Sequence, residues 1–233
     1  AYVCPIKGNQ WLKHRPVIVG SGPCGLFAAL ILAQEGFKPI VLERGKTVDA
    51  RVEDVEHFWQ TGSFDPTSNV QFGEGGAGTF SDGKLTTQIK NKRCHKVLEE
   101  MVKAGAPDNI LYKNKPHVGT DILRDVVKNI RETIIELGGE YRFESQVTDI
   151  EYEHGEVKAV IINDKERLET QICILAIGHS ARDTFTMLNN RQIHMEQKPF
   201  SMGMRIEHLQ EWINEAQFGK ENKNHEKLGA AEY

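Results

Sequence analysis

The chain has 233 residues, of which 39% are hydrophobic and 27% charged, and its formal net charge at pH 7 is −4. These proportions suit a globular protein with a sizeable core. The basic residues are spread along the chain, which argues against a nucleic-acid partner or an anionic membrane surface. No apolar run approaches the roughly 18 residues that a membrane span needs.

The cysteines predict neither disulfides nor a metal site. Cys4, Cys24, Cys94 and Cys173 are far apart, without a Cys-x-x-Cys pair or a matching histidine spacing. Free cysteines and the absence of a signal-peptide pattern predict a cytoplasmic protein. The chain begins without a methionine and ends in the polar run 219–233, so we expect an incomplete chain.

The first predicted element is a buried parallel strand, the apolar run Val17–Val19, which ends at a glycine-rich turn that opens a helix. The turn has the pattern Gly-x-Gly-x-x-Gly, in which the glycines permit a tight turn, close approach of a pyrophosphate and close packing of helix on strand. The helix N-terminus then favours a bound phosphate. This dinucleotide turn consists of Gly20, Ser21, Gly22, Pro23, Cys24 and Gly25.

A second strand, Ile40–Leu42, follows the helix and ends at Glu43. A carboxylate at this distance from the glycines is placed to accept hydrogen bonds from ribose hydroxyls. It argues against a 2′-phosphate and therefore against NADP at this site. FAD and NAD both suit the pattern, so the choice between them stays open at this point.

A long glycine-rich loop follows a helix that Thr47 is predicted to cap. Such a loop is either a flexible linker or backbone wrapped around a ligand. Phe72, Phe80 and several charged residues lie among the glycines, and this mixture favours the ligand. We therefore predict cofactor contact from Gly75, Gly76, Ala77, Gly78, Thr79, Ser81, Asp82, Gly83 and Lys84.

Two further helices are predicted over residues 92–104 and from Thr120 or Asp121 to about residue 137. His95 and His117 stand alone in polar surroundings, so we interpret them as surface residues. From Tyr141 the apolar period changes to alternation, which predicts strands with a hairpin turn at residues 154–155. A second buried strand follows at 172–177, then a helix over 181–188 and a further strand over 199–206.

Several of these segments carry a family resemblance. The dinucleotide turn with Glu43 and Arg44, and the later run Leu-Ala-Ile-Gly at 175–178, resemble the FAD-binding domain of the glutathione-reductase-like flavoprotein superfamily. Residues 68–85, 115–121 and 178–184 resemble more closely a bacterial family of uncharacterised FAD-dependent, NAD-utilising dehydrogenases. The resemblance extends over nearly the whole chain.

The resemblance implies an α/β fold, namely a Rossmann-like FAD/NAD(P)-binding domain with a parallel sheet. A β-meander is expected at about 141–163 and a returning parallel strand at 170–177. The implied domain covers residues 1–200, and residues 201–233 would begin a truncated substrate domain or form a linker.

The resemblance also implies roles for individual residues. The glycines of the dinucleotide turn would hold the pyrophosphate, Glu43 the ribose, and Arg44 or Arg51 would reach the phosphates. The loop from Gly75 to Lys84 would lie along the ribityl chain and the flavin ring. Cys24 is expected to pack beneath the turn. Backbone contacts to the cofactor are expected at Val147, Ala176, Ile177 and Gly178.

The function implied is that of a FAD-dependent dehydrogenase of unknown substrate, with NAD(P)H as a candidate electron donor. No Cys-x-x-x-x-Cys pair follows the first helix, which excludes a disulfide reductase. No catalytic residue is identified. Two alternatives stay open, an NAD-binding dehydrogenase domain and a flavin- or nucleotide-binding module without catalysis.

Overall fold

The structure, a computed structural model, describes residues 12–80, 83, 85, 87, 89–113, 116–200, 202–204 and 206–231. It consists of two compact units, Ala1–His194 and Met195–Tyr233. In chain order its elements are β1 (Val17–Val19), α1 (Pro23–Gln34), β2 (Ile40–Leu42), α2 (Val48–Thr61), α3 (Lys92–Lys103), α4 (Thr120–Glu136), β3 (Glu140–Arg142), β4 (Val147–Glu153), β5 (Glu156–Ile162), β6 (Glu166–Glu169), β7 (Cys173–Leu175), α5 (Arg182–Asn190) and α6 (Gln210–Phe218).

A four-stranded parallel sheet lies at the centre of the first unit, with the strand order β3-β2-β1-β7. The side chains of its central strands alternate between two cores, as the twofold period of a strand requires. Ile18 and Val41 face α1, α3 and α4. Val17 and Val19 face the meander and α5. The predicted α/β class with a Rossmann-like parallel sheet is confirmed.

The meander is an antiparallel sheet of strands β4, β5 and β6. Its first hairpin turns at His154 and Gly155, which both have positive φ, as the prediction of a tight turn requires. Val147 and Ile150 of β4 pack with Val160 of β5 in the core beneath the parallel sheet. The meander therefore covers the face of the sheet opposite α1 and α4.

Two predicted helix caps are wrong. Thr47 precedes α2, but its side chain makes no capping bond. Gly119 precedes α4, so neither Thr120 nor Asp121 is its N-cap residue. Among the described residues no helix is long and apolar enough to cross a bilayer.

The second unit contains α6, and no side chain of α6 is buried. Polar contacts join α6 to the residues that follow it, because Asn214 accepts from the backbone N–H of Ala231 and donates to the carbonyl of Lys223. The strand predicted over 199–206 is absent from the described residues of that range, since no other strand of the described chain pairs with it.

Two neighbouring isoleucines of α4 test the packing of the first core. Ile134 is fully buried, whereas Ile135 is 47% exposed. We expect Ile134→Ala to lower the free energy of unfolding by about 3 kcal/mol, because it removes buried methyl groups and leaves a cavity. Ile135→Ala should change it by less than about 0.5 kcal/mol. Equal losses in urea unfolding would contradict this packing.

Candidate dinucleotide site

The three glycines of the dinucleotide turn have different surroundings. A Cβ at Gly20, where φ is +100°, would lie 2.6 Å from the carbonyl oxygen of Ala176, and a Cβ at Gly25 would lie 1.9 Å from that of Gly20. Both positions therefore need glycine for the packing of β1, β7 and α1. A Cβ at Gly22 would meet only the Cα of Gly76, at 3.9 Å. The packing of the protein therefore does not require glycine at position 22 and leaves open space beside it.

The N-terminus of α1 is open to an anion. Gly22 precedes the helix, no side chain caps it, and its first turn holds no acidic residue. Unpaired backbone N–H groups and the positive end of the helix dipole therefore face this end of the turn. Pro23 and Cys24 are exposed. The expectation that Cys24 packs beneath the turn is wrong, because its side chain leaves the first turn of α1 on the solvent side.

Glu43 joins three segments of the site. Its buried carboxylate accepts from the backbone N–H groups of Ser21 at 2.7 Å, Gly45 at 2.9 Å and Gly73 at 3.1 Å. A carboxylate offers about four acceptor positions, so about one remains for a ribose hydroxyl. The sequence predicted a ligand contact for Glu43 and missed its role in holding the turn against the glycine-rich loop.

Arg51 holds the glycine-rich loop from beneath. Its side chain is fully buried, its guanidinium faces the ring of Phe80 at 4.6 Å, and burial lowers its pKa to about 10. The guanidinium donates at 2.7–2.8 Å to the carbonyls of Asn69, Val70, Glu74 and Gly76. These bonds direct the guanidinium at the loop, so the expectation that Arg51 reaches the phosphates is corrected.

The loop lies directly on the dinucleotide turn. The backbone N–H of Gly75 donates to the carbonyl of Ser21 at 2.9 Å, and a Cβ at Gly76 would lie 3.0 Å from the Cα of Gly22. Thr79 is buried beneath Gly75, where a Cβ would meet its Oγ1 at 2.1 Å. The structure therefore brings the two predicted glycine-rich segments together.

The structure describes some of the other residues of the loop that were predicted to contact the cofactor. Ala77 and Gly78 lie in a short 3₁₀ turn, Ala77–Phe80. Gly83 accepts from the backbone N–H of Val118 at 3.0 Å, beside the exposed His117. Three predicted contact residues, Ser81, Asp82 and Lys84, lie outside the described residues.

Glu74, which lies between Gly73 and Gly75, was not among the predicted contact residues. It is fully buried, and its Oε2 accepts from the backbone N–H of Val48 at 2.7 Å, which caps α2 in place of Thr47. The same oxygen pairs with Arg131 of α4 at 3.1 Å. Burial raises the pKa of Glu74, although the Val48 bond and the charge of Arg131 oppose the shift.

Arg44 lies at the rim of the same end of the sheet. Its guanidinium is 4.5 Å from the ring centre of Phe72, pairs with Asp183 at 3.0 Å and donates to Thr184 at 3.2 Å. The side-chain amide of Gln146 also donates to Asp183, at 2.7 Å. Arg44 therefore ties the end of β2 to the loop and to the start of α5.

The ends of the strands bring the remaining predicted residues to different places. Ala176 donates to the carbonyl of Val19 at 2.8 Å and lies against Gly20. Ile177 and the exposed Gly178 follow it at the same end of the sheet. Val147 is buried in the core beneath the sheet, so only its backbone is available for the predicted contact.

Within the described residues no group of three or more His, Cys, Asp or Glu could hold a metal ion.

Comparison with known proteins gives two family matches. Residues 14–52 match the FAD binding domain, and residues 199–233 match the C-terminal domain-like region of FAD-dependent proteins. An uncharacterised protein of Clostridium beijerinckii (strain ATCC 51743 / NCIMB 8052) is 55% identical over 227 residues. That match covers 97% of this chain and 42% of the relative, so the chain spans less than half of the relative's length.

Parts of several solved structures are similar to this chain. THI4 of Thermovibrio ammonificans is 17% identical with a TM-score of 0.49, over 78% of this chain and 64% of that one. Glycine oxidase from Bacillus cereus ATCC 14579 is 16% identical with a TM-score of 0.40, over 76% of this chain and 58% of that one. Thioredoxin reductase from Lactococcus lactis is 19% identical with a TM-score of 0.38, over 70% of this chain and 35% of that one.

The role of Arg51 can be tested by hydrogen exchange. Arg51→Ala leaves buried carbonyls of the loop without donors, which we expect to cost about 3 kcal/mol and to speed amide exchange within residues 69–76 about 100-fold. Arg51→Lys should recover part of the protection. Arg93→Ala removes an exposed arginine and should change nothing there. Unchanged exchange in Arg51→Ala would show that the loop holds its path without the guanidinium.

The buried carboxylate of Glu74 predicts a pH dependence. Because burial raises its pKa, the folded state keeps a proton that the unfolded state releases above about pH 4.3. The stability that this proton contributes is therefore present below that pH and is lost as the pH rises through the raised pKa.

We expect the free energy of unfolding of the wild type, relative to that of Glu74→Gln, to fall as the pH rises above the unfolded-state value through the raised pKa. Urea unfolding at several pH values measures this difference. Glu56→Gln, at an exposed position of α2, controls for loss of a carboxylate. A constant difference for Glu74→Gln would mean that the group does not titrate with folding.

Proposed function

We propose that this chain is the cofactor-binding part of a FAD-dependent oxidoreductase, a dehydrogenase that acts on a small-molecule substrate with NAD(P)H as electron donor. The observation that carries the proposal is the junction at Glu43, where one carboxylate holds the open dinucleotide turn and the glycine-rich loop together. The match of residues 14–52 to the FAD binding domain supports FAD over NAD as the dinucleotide.

The residues present fit the pyrophosphate and ribose of such a cofactor. The uncapped N-terminus of α1 offers N–H groups and a positive dipole end to the two phosphates, which need no lysine there. The open space at Gly22 lets the phosphates approach the backbone. The remaining acceptor position of Glu43 suits a ribose hydroxyl. Together these groups would fix the adenosine half of the cofactor.

The glycine-rich loop would hold the other half. Glycines at 75 and 76, with φ of +82° and +65°, let the backbone run close over the turn. From there the chain leads to Gly83, which is bound to residue 118. When bound, FAD supplies the redox chemistry. In this proposal the chain's own task is to orient the cofactor and to shield it from water along the loop.

Gly22→Val is the cleanest probe of this site. A Cβ at this position meets no atom closer than the Cα of Gly76, at 3.9 Å, so we expect the fold to persist. We expect the whole protein with this change to lose FAD binding by at least about 100-fold, because the side chain takes the place of the pyrophosphate. Fluorescence titration with FAD measures the affinity, and thermal unfolding without FAD checks the fold.

Gln60→Val is the matched control, since it places the same side chain at an exposed position of α2. It should bind FAD as the wild type does. The donor is tested by adding NADH or NADPH to the FAD-loaded wild type without air, where loss of the flavin absorbance is expected. A folded Gly22→Val protein with wild-type affinity would place the cofactor elsewhere, and a flavin that neither nucleotide reduces would contradict the proposed donor.

A further inference from the structure

A short segment of the second unit carries an uncovered row of apolar side chains. Phe200, Met202, Met204 and Ile206 are 80%, 84%, 99% and 72% exposed. In the sequence they alternate with Ser201, Gly203, Arg205 and Glu207. A period of two is that of a β-strand with one apolar and one polar face. We call this row the apolar face of segment 200–206.

This row differs from ordinary surface exposure. Single apolar side chains on a surface need no explanation, whereas a contiguous row marks a surface that something covers. The neighbouring helix does not cover it, because α6 buries none of its own side chains and Trp212 is 64% exposed. The described contacts that hold α6 to the residues after it are made by polar side chains such as Asn214. The described part of this unit therefore supplies no core for the row.

The described residues of the segment also lack strand partners. A strand needs a neighbour for its backbone N–H and C=O groups, and an unpaired apolar edge invites aggregation. No strand of the described chain pairs with residues 200, 202–204 or 206. The alternating sequence predicts a strand, but no described strand pairs with it. The partner of the segment is therefore not among the described residues.

We propose that segment 200–206 is a strand of a sheet in a C-terminal domain, and that the rest of the same polypeptide covers its apolar face. The relative from Clostridium matches nearly the whole of this chain with only 42% of its own length. The family match that begins at residue 199 is to a C-terminal domain-like region. A covalently linked segment also reaches an effective concentration in the millimolar range, which favours it over a separate partner. This inference does not depend on the cofactor.

Methionine oxidation in the whole protein tests the proposal. Met202 and Met204 lie on the apolar face, and Met101 is buried in the first core. The oxidation rate of each methionine in dilute peroxide is measured by mass spectrometry. We expect Met202 and Met204 to oxidise at least about tenfold more slowly than in a synthetic peptide of residues 198–208, at a rate that approaches that of Met101. Oxidation at the peptide rate would overturn the proposal.

Two further measurements identify what covers the face. Protection that falls on 100-fold dilution of the protein would assign the face to a second copy and would also overturn the proposal. Met204→Glu places a charge on the apolar face, and Ser201→Glu places the same charge in the polar phase of the alternation. We expect Met204→Glu to release Met202 from protection at least about tenfold and Ser201→Glu to leave it protected. Should Met204→Glu fail to fold, the wild-type oxidation rates decide alone.

Discussion

The buried guanidinium of Arg51 fixes the path of the glycine-rich loop, and the geometry of the candidate site depends on that path. Four loop carbonyls accept from it, and each would be costly to bury without a donor. Glycine permits the backbone turns that bring these carbonyls together, as the positive φ values at 73, 75 and 76 show. The loop is thus a shaped surface that one side chain holds, rather than a flexible linker.

Two buried carboxylates complete the arrangement. Glu43 binds the turn to the loop through backbone N–H groups, while Glu74 caps α2 and pairs with Arg131. A buried charge is tolerated when it is paired or receives hydrogen bonds, and both carboxylates meet this condition. The N-terminus of α1, by contrast, receives no acidic side chain. Negative charge is therefore neutralised around the site and left out at the helix end that would face phosphate.

Much of this fold follows from local pattern. Short stretches of sequence were enough to predict the apolar strands β1 and β2, the glycine turn between them and the alternating meander. This is because hydrophobic period and turn chemistry are local properties of the sequence. The function of Arg51 could not be predicted in that way, since its partners lie 18 to 25 residues further along the chain. The prediction that Thr47 caps α2 failed for the same reason. The backbone N–H of Val48 donates instead to the carboxylate of Glu74, which lies 26 residues further along the chain. Segment 200–206 shows the opposite case, in which the strand pattern is clear and the partner that would make it a strand is not in the described chain.

The most direct test of the central claim, that the turn and its loop hold FAD, is the absorbance spectrum of the small molecule released by denaturing the whole protein after purification without added cofactor. The account predicts the visible bands of oxidised flavin, and chromatography should identify the released compound as FAD in an amount equal to the protein. A colourless protein that also takes up no FAD on incubation would contradict the account, and the turn would then be a structural feature or a site for another dinucleotide.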